Sequence, residues 1–324
     1  MLRQYLFLSI FILITFNACK TEKKDTYTKL QGNIFGTTYT IVYKSSENYQ
    51  EEIDKVFEDF NNSLSTYIPS SIISKVNNNE NSVIVDSYFI EAFEKAKKIY
   101  NETDGFFDPT IGKLINAYGF GSGKEINNLT TEEVDSLKQL MGFEKIVLKE
   151  NKVLKPDEIE FNVNAFAKGL GVDVIGRLLE SKKIENYLVE IGGEIRARGM
   201  SPRNSFWKVA IDDPNTDGTR SQSRTIELNN QSMATSGNYR KFKVNSNGEK
   251  VVHTVNPKTG LAQENNLLSA SVLIEGDCAD VDAYATAFMA MGLEDTKAFL
   301  IAHPELKVVL LYANKEGEIL EFTN

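Results

Sequence analysis

The amino-acid sequence predicts an α+β fold in which mixed layers of β-sheet and helices form one large domain. Segments with apolar residues at helical spacing are interspersed along the chain with short segments that alternate or are continuously apolar. This mixture is typical of layered folds and not of a helical bundle or a β-sandwich. No proline- or glycine-rich linker divides residues 28–324, and we therefore expect one domain over residues 31–324.

The first half of the chain is expected to hold one strand, four helices and a hairpin. The strand is the alternating second half of segment 32–44. Pro109 suits the first position of the third helix, and Thr130 or Thr131 followed by Glu133 is typical of a capping box at the start of the fourth. In chain order, the helices are expected over residues 51–67, 87–105, 109–121 and 130–142, and the hairpin over residues 145–155.

The second half is expected to alternate strands with helices more closely. A short strand leads into a long amphipathic helix over residues 158–183, and two strands surround a paired glycine over residues 186–199. The remaining strands are expected over residues 207–213, 223–235, 267–276 and 316–322, with a helix over residues 278–292 and a helix followed by a strand over residues 298–314.

Net charge and histidine content exclude two classes of function. The formal net charge is −9, from 45 acidic and 36 basic residues, so the basic footprint of a nucleic-acid-binding protein is missing at chain level. Two histidines are too few for a histidine-rich zinc site. An acidic protein that binds phosphates needs a metal ion or backbone amides to offset the repulsion.

Residues 1–19 have the pattern of an export signal. Arg3 precedes an apolar run that is short for a membrane-spanning helix, and the segment closes with Ala18 and Cys19. A cysteine after a small residue resembles the bacterial lipoprotein signal, although the two residues before Ala18 differ from the commoner ones. A plain signal peptide or a single anchor helix remains the alternative. We expect lipidation at Cys19 and a polar tether over residues 20–30.

Several segments are dense in glycine, small residues and hydroxyl side chains. Such loops suit a ligand whose phosphates contact backbone amides. The fingerprints of the Rossmann fold and of the P-loop are both absent from the sequence. Each segment alone is also typical of an ordinary tight turn, but together they are too many for a passive scaffold.

Asp282 and Thr286 are four residues apart and would share one face of the helix expected over residues 278–292. A carboxylate and a hydroxyl on one face suit a hard cation such as Mg²⁺. From spacing alone, we prefer the simpler interpretation that acidic residues near a helix start complement the helix dipole.

Seven motifs, read in chain order, resemble the ApbE family, the FAD:protein FMN transferases. The resemblance extends from about Gly32 to Gly292, which is nearly all of the chain after the leader. The motifs are LSTYIPSS, GFFDPTIGKLINAYGFG, AFAKGLGVD, VEIGGE, ATSGNY, HTVNPKTG and ADVDAYATA.

The resemblance implies a flavin-transfer enzyme that binds FAD as substrate and a divalent metal, usually Mg²⁺. Such an enzyme places FMN on a Ser or Thr hydroxyl of a partner protein through a phosphoester and releases AMP. Its partners are typically subunits of membrane redox pumps, and many members are anchored to the inner membrane on the periplasmic side. Two alternatives remain open, a periplasmic FAD pyrophosphatase that yields FMN and AMP, and a flavin-binding lipoprotein without catalysis.

Motif positions imply the residues of a metal site. Asp282 and Thr286 resemble metal ligands, and Ala165 would offer its carbonyl oxygen. Ala285 stands where some relatives have a second aspartate, so that one ligand would be a main-chain oxygen or a water.

The resemblance also implies an FAD site and a catalytic histidine. Lys168 would offset pyrophosphate charge, and His253 would help to deprotonate the incoming hydroxyl or bind phosphate, beside Asp282 as the second catalytic residue. The positions expected to contact FAD are Phe35, where relatives often carry methionine, Tyr67, Phe106, Phe107, Asp108, Asn162, which replaces a common aspartate, Lys168 and Val255. Arg196, Arg198 and Arg240 are candidate neighbours of a phosphate or of the adenine, but we expect each of them on a solvated surface.

We predict that Cys19→Ala abolishes stable membrane attachment, because the thiol that carries the acyl chains is lost. One acyl chain binds a membrane only marginally, so the wild-type protein needs more than one. Membrane fractionation and mass spectrometry of the N-terminal peptide test this. Wild-type protein that pellets with membranes but carries no lipid would contradict the prediction.

Overall fold

The computed structural model describes residues 26–121, 123–126, 128–212, 222–238, 242–244, 248, 250–262 and 265–324. Its helices are α1 (Gln50–Leu64), α2 (Ile72–Asn77), α3 (Ser87–Glu102), α4 (Gly112–Ala117), α5 (Thr131–Gln139), α6 (Ala167–Ser181), α7 (Cys278–Met291) and α8 (Leu293–Ala302), with a 3₁₀ helix at Phe143–Lys145. Its strands are β1 (Thr28–Ile34), β2 (Thr37–Tyr43), β3 (Val147–Lys149), β4 (Lys152–Leu154), β5 (Tyr187–Ile191), β6 (Glu194–Arg198), β7 (Trp207–Asp212), β8 (Gln222–Leu228), β9 (Ser232–Gly237), β10 (Phe242–Val244), β11 (Lys250–Val252), β12 (Leu267–Ile274), β13 (Lys307–Ala313) and β14 (Ile319–Thr323).

An eight-stranded sheet forms the centre of the domain. Its order is β1-β2-β5-β6-β9-β12-β13-β14, and every neighbouring pair is antiparallel. Helices α6 and α7 pack on one face of the sheet, and α1 and α3 pack over these two helices. The β7–β8 hairpin covers part of the other face, where Trp207 and Val209 join a second apolar cluster with Ile195 and Met233. The expected α+β class is therefore confirmed.

Helices α6 and α7 are buried side by side and approach each other closely. Eleven residues of α7 are buried, and most of them are alanines or other small or apolar residues that allow packing on several sides. Gly169 supplies the contact on α6, because a Cβ atom there would lie 2.6 Å from the carbonyl oxygen of Cys278. The sequence of AFAKGLG thus permits a helix crossing that a larger residue would prevent.

Several expected elements differ from the structure, two of them near the candidate site. The helix expected from Pro109 begins only at Gly112. The strand expected near residue 161 does not form, although Phe161 is fully buried. Instead, the Asn77 side chain accepts a hydrogen bond from Phe161 N at 2.8 Å and donates one to Phe161 O at 2.9 Å. A side chain therefore satisfies the backbone groups that a neighbouring strand would have satisfied.

The structure adds elements that the sequence pattern did not predict, namely β1, α2, β10, β11 and the 3₁₀ helix, and β1 begins within the expected tether. The strand expected over residues 223–235 is divided into β8 and β9. Arg196 is also not on a solvated surface: it is 6% exposed and pairs with Asp173 and Asp277 at 2.7 Å each. Arg198 is about half exposed, as expected.

Arg240, the expected leader and Cys19 lie outside the described residues. Among those that are described, no helix combines the length and the apolar character needed to span a bilayer.

We predict that Gly169→Ala lowers the free energy of unfolding by about 1–3 kcal/mol, as overpacking does. The new methyl group would meet backbone atoms of Cys278 and Ala279 at 2.6–2.9 Å, and backbone cannot move aside cheaply. Urea unfolding measures the change. Gly276→Ala is the matched control, because its nearest neighbour would be a side-chain atom at an ordinary 3.5 Å. Equal effects of the two substitutions would contradict the prediction.

Candidate active site

A cavity of about 770 Å³ lies where the start of α6 meets the middle of α7. Its wall is formed by the loops that follow α1 and α3, the start of α6, the ends of β9 and β11, and one face of α7. Most residues expected from the motifs line it. They are Tyr67, Phe106, Phe107, Asp108, Asn162, Ala165, Lys168, His253, Val255, Asp282 and Thr286.

Three oxygen-bearing residues converge at the N-terminal end of α6. Asp282 is 3% exposed, and its Oδ2 accepts a hydrogen bond from Gly169 N at 3.0 Å. One turn later on α7, Thr286 Oγ1 donates to the carbonyl oxygen of Ala165 at 3.3 Å and lies 3.4 Å from Ser236 Oγ. Asp282, Thr286 and Ala165 O are therefore neighbours, as the motif positions implied.

Ala285 is not part of this group. It is fully buried within α7, does not line the cavity, and its carbonyl oxygen lies inside the helix, where it accepts the ordinary i+4 hydrogen bond. The residues that α7 presents to the cavity are Asp282, Thr286 and Ala290.

A buried ion pair lies beside Asp282. Lys168 Nζ is 2.6 Å from Glu194 Oε2, and no other donor among the described residues reaches this oxygen. Glu194 is 2% exposed. Burial raises the pKa of Glu194 to about 8, the negative charge of Asp282 adds to the rise, and Lys168 opposes it.

The other two charges of this cluster are shifted as well. Burial raises the pKa of Asp282, against the opposing effects of Lys168 and of the hydrogen bond from Gly169. Burial disfavours the charged form of Lys168, but Asp282 and Glu194 outweigh it and raise its pKa. The cavity therefore holds two carboxyl groups and one ammonium group, and the pKa of each group depends on the charge of the other two.

An aromatic wall faces this charged end of the cavity. The Phe107 ring is buried edge-to-face against Phe166, with centroids 5.6 Å apart, and Lys258 Nζ lies 5.7 Å from the centroid of Phe106. Tyr67 is 69% exposed at the mouth. Aromatic faces of this kind can pack against a planar ring system of a ligand.

Asp108 and Asn162 hold the cavity loops in place. Asp108 Oδ1 accepts hydrogen bonds from Thr110 N at 2.8 Å and Thr110 Oγ1 at 2.6 Å, and burial raises the pKa of this carboxyl. Asn162 N donates to Pro109 O at 2.8 Å, which ties its loop to that of Asp108. Asn162 Oδ1 accepts from Asn164 N at 2.8 Å, so the amide that replaces a common aspartate still acts as an acceptor.

His253 and Val255 line the cavity from the segment after β11. The His253 ring packs edge-to-face on Phe120 with centroids 6.4 Å apart, and Val255 is 4% exposed. Phe35, by contrast, does not line the cavity. Its ring packs on Phe57 and Phe60 at centroid distances of 5.8 and 5.0 Å, because the missing side chain of Gly171 leaves room for it there.

Sequence reasoning missed Glu194, Ser236 and Asn164 among the lining residues. Glu194 belongs to the VEIGGE motif, and a charged residue directly after paired glycines, at the start of a strand, was the available signal. No group of three or more His, Cys, Asp or Glu side chains converges anywhere in the part of the chain that the structure describes. A metal ion at this site would therefore also need hydroxyl or backbone oxygens.

Comparison with known proteins agrees with this geometry. A sequence profile described as the ApbE family matches residues 35–310. The chain is 33% identical over 306 residues to the FAD:protein FMN transferase of Vibrio cholerae, covering 91% of this chain and 90% of that protein. The Haemophilus influenzae FAD:protein FMN transferase is 32% identical over 326 residues, covering 96% and 93%. The solved structure of the flavin transferase ApbE from Vibrio cholerae superposes with a TM-score of 0.82 at 32% identity, covering 93% of this chain and 97% of that one.

We predict that Glu194→Gln becomes stabilising relative to wild type as the pH rises from about 4.5 to 8 in chelator-containing buffer. The pKa of Glu194 rises from 4.5 to about 8 on folding, so the folded state holds a proton that the unfolded state has released. The contribution of this proton to the free energy of unfolding is therefore fully present below pH 4.5 and is lost as the pH rises to about 8. Glutamine does not titrate, so the variant loses nothing over this range.

Urea unfolding across this range measures the difference between the two proteins. The half-exposed Glu227, changed to Gln, serves as the surface control for the effect of the substitution itself. A difference at Glu194 that stays constant across this range would show that its carboxyl group is not held protonated by burial.

Proposed function

The chain belongs to the ApbE family, and from this we propose that it transfers FMN from FAD to a Ser or Thr hydroxyl of a partner protein in a Mg²⁺-dependent reaction that releases AMP. The observation that carries the proposal is the convergence of Asp282, Thr286 and Ala165 O beside Lys168 in one large cavity. The similarity to proteins named FAD:protein FMN transferase over nine-tenths of the chain supports it.

The donor set fits Mg²⁺. Asp282, Thr286 and the carbonyl of Ala165 all offer oxygen, which is the ligand type that this hard cation prefers, and the small number of protein donors leaves room for phosphate oxygens and waters. When bound there, the ion would offset the charge of the pyrophosphate and of the departing phosphate.

The charges of the cavity favour such a cation. Lys168 already lies beside the Asp282 and Glu194 carboxyl groups, of which Glu194 has a pKa raised to about 8, and the FAD pyrophosphate would add about two negative charges. Lys168 alone cannot neutralise Asp282 and the pyrophosphate together.

The transfer step needs positioning and one proton acceptor. The hydroxyl oxygen of the partner attacks the FMN-side phosphorus, the bond from that phosphorus to the AMP phosphate breaks, and the hydroxyl proton passes to His253. Lys168 binds the pyrophosphate, and Phe106 and Phe107 provide the apolar wall for the flavin end of FAD. No covalent intermediate on the enzyme is required.

We further propose that the enzyme acts on the periplasmic side of the inner membrane, anchored through Cys19, on a subunit of a membrane redox pump. The lipoprotein-like leader supports this location. A hydrolytic alternative, in which water replaces the hydroxyl and the enzyme is an FAD pyrophosphatase, is favoured by one observation: the 69% exposure of Tyr67 leaves the mouth of the cavity open to water.

We predict that the purified protein, given FAD, Mg²⁺ and a candidate acceptor, adds the mass of one FMN residue to that acceptor and releases one AMP per FMN. Intact-mass spectrometry and AMP quantification measure both, and the gain should vanish when the target Ser or Thr of the acceptor becomes Ala. AMP and free FMN in equal amounts, without labelled acceptor, would establish the pyrophosphatase. Bound FAD without turnover would establish the non-catalytic flavin-binding lipoprotein.

A matched pair of variants tests the site within the same assay. Asp282→Ala should slow FAD cleavage about 100-fold or more, because several kcal/mol of charge stabilisation by the metal are lost. Asp280→Ala is the control: Asp280 lies on the same helix but pairs with Lys95 and Lys98 at 2.9 Å each, outside the cavity. Equal rates for the two variants would place the metal elsewhere.

A further inference from the structure

The start of α7 is capped by a side chain from another helix. The two oxygens of Asp173 on α6 accept hydrogen bonds from Cys278 N and Ala279 N, at 2.8 Å each. These are first-turn amides that have no partner within their own helix. The residue at the N-cap position of α7, Asp277, makes no side-chain cap hydrogen bond. The cap therefore ties α7 to α6 directly.

A third hydrogen bond joins the same two helices, and here a backbone amide of α6 donates to a carboxylate of α7. Asp282, one turn after Cys278 on α7, accepts from Gly169 N, which lies one turn before Asp173 on α6. Asp173 of α6 thus accepts from two backbone amides of α7, and Asp282 of α7 accepts from one backbone amide of α6. Because helix α7 is rigid between these points, the Asp173 contacts set where Asp282 and Thr286 stand relative to Ala165 O.

Burial and an ion pair fix the position of the Asp173 side chain. It is completely buried, and Arg196 Nη1 pairs with its Oδ1 at 2.7 Å, which supplies the counter-charge that a buried carboxylate requires. Its oxygens do not reach the cavity wall. Any effect of Asp173 on a bound ion must therefore pass through the placement of α7.

We propose that Asp173 is a positioning residue for the cation site. It holds α7 at the position relative to α6 that brings Asp282 and Thr286 next to the carbonyl of Ala165. This inference rests on the proposed metal dependence. Partners that orient metal ligands from outside the coordination sphere typically contribute about 10–100-fold to metal affinity, and Asp173 acts in this way through the helix backbone.

The test measures Mn²⁺ binding to the FAD-free protein by electron paramagnetic resonance, so that it does not depend on turnover. Asp173→Asn keeps the size of the side chain but offers only one acceptor to the two amides, and we expect its Mn²⁺ affinity to fall about 10–100-fold. Asp277→Asn is the matched control. Asp277 shares the Arg196 partner and pairs with Lys95, but it does not cap α7, so its Mn²⁺ affinity should stay within about twofold of wild type.

Thermal unfolding and near-ultraviolet circular dichroism of both variants separate positioning from general destabilisation. A purely structural role would lower the melting temperature of each variant and leave the Mn²⁺ affinity of the folded protein unchanged in both. Such a result, or an equal loss of affinity in both, would overturn the inference. If Asp173→Asn does not fold, Asp173→Ser, which keeps a hydroxyl acceptor without added bulk, takes its place with the same expected loss.

The outcomes also distinguish this inference from the proposed function. Wild-type protein that binds no Mn²⁺ would overturn the cation site and with it the role of Asp173. Wild-type protein that binds Mn²⁺, together with an Asp173→Asn variant that binds it equally well, would overturn the positioning role alone.

Discussion

The close contact between α6 and α7 is the constraint on which the cavity depends. The sheet lies below both helices and α1 and α3 lie above them, so neither helix can shift without disturbing two layers. Gly169 allows the approach, and the small residues of α7 allow that helix to be buried on nearly every side. Every proposed oxygen ligand lies at or next to this crossing. The site is therefore a property of helix packing and not of a loop that could be exchanged independently.

Two clusters of buried charge flank the crossing and differ in how well they are satisfied. Around Arg196, the carboxylates of Asp173 and Asp277 find guanidinium and backbone donors at 2.7–2.8 Å. Around Lys168, Glu194 keeps a poorly satisfied oxygen and a raised pKa. A fully satisfied buried network rigidifies a core, whereas a partly satisfied one beside a cavity is typical of a functional site. One cluster thus lies in the core beside the start of α7, and the other lies at the cavity beside the start of α6.

The sequence predicted the fold class and the long helices α1 and α3 because apolar spacing alone specifies them, and it predicted α5 from the capping box at its start. It failed where a side chain replaced a strand partner, as Asn77 does for Phe161, since no local pattern encodes a contact 84 positions away. Spacing placed Asp282 and Thr286 on one face but could not join them to Ala165, which required the resemblance.

Other site residues show the same limit. Phe35 was expected at the FAD site and instead fills the space over Gly171, while Glu194 and Arg196 sit in a strand whose pattern does not reveal that both of its faces are buried. Sheet pairing has a further consequence, for folding kinetics. Strand β2 pairs with β5 in a register that joins Tyr43 to Tyr187, 144 positions later. Closing so long a loop is slow compared with forming a helix or a hairpin, because the chain loses conformational entropy before the contact is made. Helix α6, which borders the cavity, packs on β5 and β6, so the complete cavity requires strands that only this long closure joins to β2.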